Sequence, residues 1–231
     1  MRFVLLLVFV LSGCAPFYTV PNDAADFAAL GLLPPESAEE ITAALERQPA
    51  AHFPATLATV RLQGRGNSWV INLRTVEGAG DMDNLASMPG IREVIPLSQI
   101  VCPGQVSRLE TLRSAAASVR ADLVLVYTFE STSTSEPTIP LLGLLSLGIL
   151  PNEIARATST GSGALVDTRT GYIYGLTEAT RKEYRITNAW NVRDAMESSM
   201  EGAQGRACKD LVAQVEKLWD GVLARYGKDL P

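Results

Sequence analysis

Residues 107–129 read SRLETLRSAAASVRADLVLVYTF, and this stretch decides the fold class. Leu109, Leu112, Ala116 and Val119 recur at spacings of three, four and three, the stripe of a helix that buries one face. Arg120-Ala121-Asp122 then turns the chain into LVLVYTF at 123–129. That run is apolar at consecutive positions, so a strand there needs cover on both faces, as a central strand of a layered sheet has. Helix, short turn and buried strand make an α/β unit. The expected fold class is α/β (α+β), a mixed sheet of about five or six strands with flanking helices.

Downstream, residues 131–153 read as an insertion. STSTSE (131–136) is polar and predicts a flexible stretch. IPLLGLLSLGIL (139–150) carries no charge, and Pro140 and Pro151 bracket most of it. Too short to span a bilayer as a helix, it also lacks the alternation of a barrel strand. Two readings stand: it packs back on its own domain, or Leu141, Leu142, Leu144, Leu145, Leu147, Ile149 and Leu150 form a contact surface for lipid or a partner. Ala155 to Val166 then predicts a strand, Asp167 to Gly171 (DTRTG) a turn, and Tyr172 to Ile186 the return strand of a hairpin. Trp190 to Tyr226 is mostly helical, with Leu211, Val215, Leu218 and Val222 on one face. Gly202 and Gly205 predict a kink or a break in it.

Upstream, ATLATVRLQ (55–63), WVINLRTV (69–76) and IREVIPL (91–97) read as strands, with Pro96 marking an edge or an end. Asp83 to Met88 predicts a short helix. Ser37 and Glu40 have capping-box spacing before a helix that ends near Pro49. Asp23 to Leu33 predicts another short helix, broken by Pro34-Pro35.

The first residues read as a leader. Arg2 supplies a positive end, and Phe3 to Leu11 (FVLLLVFVL) is a nine-residue apolar run. Nine residues cannot cross a bilayer core, which needs about 20, but they match the apolar region of a signal peptide. Ser12 and Gly13 are small, so a signal peptidase can reach the bond between Gly13 and Cys14. The Cys14 thiol is then the nucleophile that takes up lipid. LSGC resembles the lipobox of bacterial lipoproteins. Each buried acyl CH₂ contributes about 0.8 kcal/mol, so several chains anchor firmly. Ala15 after the cysteine resembles the sorting pattern of outer-membrane lipoproteins. The expected organisation is a signal peptide at 1–13, a lipidated tether at 14–22, a helical lead-in at 23–52, and an α/β periplasmic domain at 53–231.

Composition narrows the partners. The 231 residues carry a formal charge of −5, and loss of Arg2 with the leader makes the mature chain −6. An acidic chain is a poor match for nucleic acid, which calls for a surplus of Lys and Arg on one face. Cys102 and Cys208 are an even pair in an exported domain. They read either as a disulfide or as two separate buried thiols. The single histidine, His52, falls in an expected loop, and no zinc spacing accompanies it. No Gly-x-Ser-x-Gly elbow or phosphate loop occurs. Gly161-Ser162-Gly163 lacks the context of a dinucleotide loop and reads as close approach or a bulge. Asp81 and Asp83 lack the remaining spacing of a calcium loop and read as a solvated turn. No catalytic residue, metal or cofactor is expected.

RLETLRSAAASVRADLVLVYTF (108–129) resembles the helix-then-strand step of periplasmic domains of the CsgG, LpoB and TolB amino-terminal type. GALVDTRTGYIYG (163–175) is similar to their late hairpin. Together with the lipobox, LGILPN (147–152) and DTRTGYIYG look like the rhombotarget lipoproteins. The resemblance covers about residues 55–226 and implies structural motifs, with no catalytic residues to carry over. The expected function is a membrane-anchored, non-catalytic accessory or scaffold protein of the cell envelope, facing the periplasm from the outer membrane. It would act through an envelope protein partner or through self-association. The alternatives are an oligomeric export component resembling CsgG and a weak hydrolase using His52.

Overall fold

The computed structural model describes residues 37–65, 68–71, 79–102, 105–139, 147 and 149–227. The expected signal peptide, the tether and the helix at 23–33 lie outside them.

In chain order the elements are α1 (Ala38–Glu46), β1 (Ala55–Arg65), β2 (Ser68–Ile71), α2 (Ala79–Ser87) and β3 (Ile91–Pro96). Then come α3 (Leu109–Ser118), β4 (Leu123–Pro137), β5 (Glu153–Asp167), β6 (Ile173–Thr187) and α4 (Val192–Tyr226). The six strands form one mixed sheet in the order β2-β1-β4-β5-β6. One edge of β1 is shared: its first residues pair in parallel with β3, and Leu62 to Arg65 pair antiparallel with β2. Its other edge runs parallel to β4. β4, β5 and β6 then form a long antiparallel meander. Among the described residues β3 pairs only with β1, so Pro96 sits at an edge there.

The apolar run of β4 is covered on both sides, as its sequence requires. Val124 and Val126 join Val60, Leu62 and the α3 stripe of Leu109, Leu112 and Ala116 on one face. Leu123, Leu125, Tyr127 and Phe129 join Leu57, Leu165 and the α4 residues Leu211, Val215 and Trp219 on the other. Trp219 is 1% exposed. Its indole donates to the Pro89 carbonyl at 2.8 Å, and its ring meets Phe53 edge-on. Gly161 lies opposite Phe129, where a Cβ would come within 2.6 Å of the ring. That is a close approach by a side chain; the bulge in this hairpin falls instead between Leu165 and Val166.

Three expectations need correction. Asp81 and Asp83 lie in α2 and not in a turn. STSTSE is not a flexible loop: β4 continues through it to Pro137, and β5 begins at Glu153. The insertion therefore shrinks to residues 138–152. Threonine is β-branched and suits a strand, and Ser131 and Ser133 turn inward while Thr132 and Glu136 face solvent. Nor does α4 break at Gly202 or Gly205: it is a single helix of 35 residues. Packing against the sheet outweighs the weak helix preference of two glycines.

Candidate interaction surface

The antiparallel meander carries Thr138, Ile139 and residues 149–152 to the far end of the sheet, away from α3. That end is tied together by side chains. The Asn152 amide donates to the Ile139 carbonyl at 2.7 Å and accepts from the Ile139 N–H at 2.8 Å. The Asn152 N–H reaches the Thr187 carbonyl. Trp190 Nε1 donates to the Leu147 carbonyl at 3.2 Å, and Asn188 donates to that of Ile149. Leu147 holds a φ of +52°, a left-handed conformation that L-residues with a Cβ rarely adopt.

These bonds satisfy backbone groups and leave apolar side chains outward. Leu147 is 76% exposed, and Ile149 and Leu150 are exposed too. Leu141, Leu142, Leu144 and Leu145 lie outside the described residues. Ile139, at the start of the flagged run, joins them, and the sequence reading missed two other contributors, Ile186 and Trp190. Ile139 is exposed beside the Asn152 clamp, Ile186 faces solvent on β6, and Trp190 is 75% exposed. Alternation along β6 placed Ile186 on one face, but nothing local showed that this face would stay uncovered. No charged residue occurs between Glu136 and Glu153.

The expected cysteine pair does not come together. Cys102 packs in the core beneath α3, and Cys208 packs beneath α4 on the opposite face of the sheet. Both thiols are buried and no disulfide joins them. The sheet stands between them, whereas a bridge requires Cα atoms within about 7 Å. Burial pushes the Cys102 thiol above its ordinary range. Cys14 and Gly13 lie outside the described residues.

The DTRTG turn is a structural junction. Asp167 is fully buried, and Oδ1 accepts the N–H groups of Arg169 and Thr170. Oδ2 accepts the Ala50 N–H at 2.7 Å and the Tyr174 hydroxyl at 3.1 Å. The lead-in after α1 is thereby fastened to the hairpin. Arg113 of α3 donates to the carbonyls of Thr168 and Arg169, and Gly171 takes a φ of +71° to close the turn. Burial drives the Tyr174 phenol well above its ordinary range; the Asp167 carboxylate adds to this, against the opposing pull of the Ala51 N–H. Asp122 of the Arg-Ala-Asp turn accepts the Thr56 N–H through Oδ2.

His52 is exposed in the segment between α1 and β1. Among the described residues, no three His, Cys, Asp or Glu side chains gather into a group that could hold a metal ion. Also among them, no helix is long and apolar enough to cross a membrane.

Comparison with known proteins adds little to the site. No family model matches the chain, and no curated protein matches its sequence. Solved structures with some likeness include a hypothetical protein from Chlamydia trachomatis, at 11% identity and a TM-score of 0.33. It covers 70% of this chain and 95% of its own. A protein from Xanthomonas campestris, described with the family model DUF330, matches at 10% identity and a TM-score of 0.32. That match covers 76% of this chain and 93% of the other.

Proposed function

We propose that this chain is a lipoprotein of the bacterial cell envelope, anchored to the outer membrane through acylated Cys14, and that it acts by protein contact and not by catalysis. Its leader and the Leu-Ser-Gly-Cys sequence support the anchor. The apolar end of the sheet supports the contact. Monomers seldom expose contiguous apolar groups without a use for them, and such patches mark interaction sites. The observation that carries the contact reading is the uncharged 137–152 segment, held by Asn152 and Trp190 with Leu147, Ile149 and Leu150 turned outward. The partner is an envelope protein with an apolar recess of its own.

Site-specific photocrosslinking in living cells tests this reading. A crosslinker at Leu147 should give a discrete adduct with one other protein. The same crosslinker at Ile100, which is 92% exposed elsewhere on the domain, should not. Paired Leu147→Asp and Ile149→Asp substitutions should abolish an adduct formed from Trp190. Equal yields from both sites, or an adduct that survives the aspartates, would remove the contact role. A ladder of self-adducts would replace the adaptor with a self-assembling export component.

A further inference from the structure

β6 is the outer strand of the meander, and among the described residues no strand pairs with its far edge. The ladder fixes which backbone groups that edge presents. Thr138 donates to the Asn152 carbonyl at one end of the β4–β5 ladder and Thr168 donates to the Asp122 carbonyl at the other, so the even-numbered residues of β5 bond toward β4. Antiparallel strands alternate, so the odd-numbered residues of β5 bond toward β6. Odd pairs with odd in the β5–β6 register, as in Ser159 with Arg181 and Ala157 with Glu183. The N–H and C=O groups of Glu178, Thr180, Lys182, Tyr184 and Ile186 therefore point away from the sheet. An independent bond agrees: Gln214 reaches around from α4 to donate to the Glu178 carbonyl at 2.6 Å. Gln214 closes the row there and leaves it open from Thr180 to Ile186.

A basic cleft runs beside this open row, lined by Thr180, Arg181, Lys182, Arg206, Lys209 and Asp210. Its charges are sorted by depth. Arg206 grips Glu183 at 2.7 Å, and the Glu183 side chain is 16% exposed against 62% for Arg206. Arg181 grips Asp210 in the same way. The carboxylates face inward and the cations outward. Lys182 and Lys209 make no ion pair among the described residues. Four cations against two carboxylates leave this patch positive in a chain whose formal charge is −5.

We propose that the β6 edge between Thr180 and Ile186 takes up an extended acidic segment of a partner protein as an added strand. An open edge offers donors and acceptors in alternation, which a peptide backbone matches and a phosphate, acceptor only, does not. Charges on an edge strand guard it against indiscriminate pairing. Here a second copy would bring its own basic cleft against this one, and like charges placed opposite each other destabilise a strand pair. An acidic strand meets the opposite condition: its backbone continues the ladder and its carboxylates fall beside Lys182, Lys209 and the outward faces of the guanidiniums. This surface meets the apolar end at Ile186, but its cleft lies apart from it, and the proposal does not depend on the lipid or on that contact.

The test uses the purified full chain with a synthetic peptide of alternating Glu and Thr, and one of alternating Lys and Thr as control. Hydrogen exchange should slow at the Thr180, Lys182 and Tyr184 amides when the acidic peptide is added. The control should bind at least about tenfold more weakly, a difference of about 1.4 kcal/mol. The exposed pair Lys182→Glu and Lys209→Glu should weaken the acidic peptide by a similar factor and strengthen the basic one. Absence of amide protection, or equal binding of the two peptides, would overturn the proposal. Protection of the same amides in concentrated protein alone would assign the edge to a second copy. Binding to phosphatidylglycerol vesicles that competes with the peptide but protects no amide would reduce the cleft to an anion-attracting surface.

Discussion

The Asp167 carboxylate has no solvent exposure, and four donors converge on it. Three of them come from its own hairpin and one from Ala50, 117 positions earlier. Removing a buried acceptor strands its donors, and each stranded group costs roughly 1–3 kcal/mol. Asp167→Ala should therefore lower the unfolding free energy by about 3 kcal/mol or more, read as a drop in the urea midpoint. Asp167→Asn, which can still cap the turn through one oxygen, should cost less. A midpoint for the alanine variant within error of the parent would show that Asp167 does not hold this junction. The sequence displayed the turn, because Asp, Thr and Gly have local reasons to be there. It did not display Ala50, because nothing in a chain marks a contact made over a hundred residues away. The cysteines were undecided for the same reason: parity allowed a bridge or two buried thiols, and only the position of the sheet between Cys102 and Cys208 selects the second.

α4 packs in two different ways along its length. Its second half sets Leu211, Val215, Trp219 and Val222 into the core. Its first half buries Met196 near its start and then small or polar groups: Ser199 and Ala203 of the helix, with Ser131, Ser133, Ala157 and Ser159 buried on the strands. Gln204 donates to Ser131 Oγ, but the buried Ser133 and Ser199 hydroxyls have no hydrogen-bond partner among the described residues. Little apolar area and two unsatisfied hydroxyls make this half the less stable. Native-state hydrogen exchange should show amides at 196–206 exchanging at least about tenfold faster than those at 211–222. Uniform protection along the helix would contradict this division. The contrast also explains which parts of the fold could be read in advance. Large apolar residues at helical spacing announced the second half. In the first half the buried large apolar residue is Met196, which alone shows no helical stripe, so Gly202 and Gly205 read as a break. In the same way the serines and threonines of β4 read as a loop, since their burial depends on a helix that follows much later in the chain. The strand run of 123–129, the late hairpin and α3 all carried strong local patterns, and the structure has them where those patterns put them.

Over the whole molecule, the described residues form a sheet with two covered faces near α3 and a single covered face toward the far end, where exposed apolar side chains gather. The far end and the open β6 edge are surfaces without a covering element among the described residues, and both suit a protein that works by holding others. Only part of this was legible. The uncharged 139–150 run flagged a contact surface, but Trp190 joins it through its indole bond to Leu147 and Ile186 through strand pairing, which composition cannot show. The proposed role of holding partners at a membrane requires an anchor, and the proposed anchor is an acylated Cys14. The most direct measurement is metabolic labelling of producing cells with an alkyne analogue of palmitate. The account predicts label on the parent protein and none on Cys14→Ser, with the variant released from the membrane fraction. Label that persists on the serine variant, or a parent protein that never takes it up, would contradict the account.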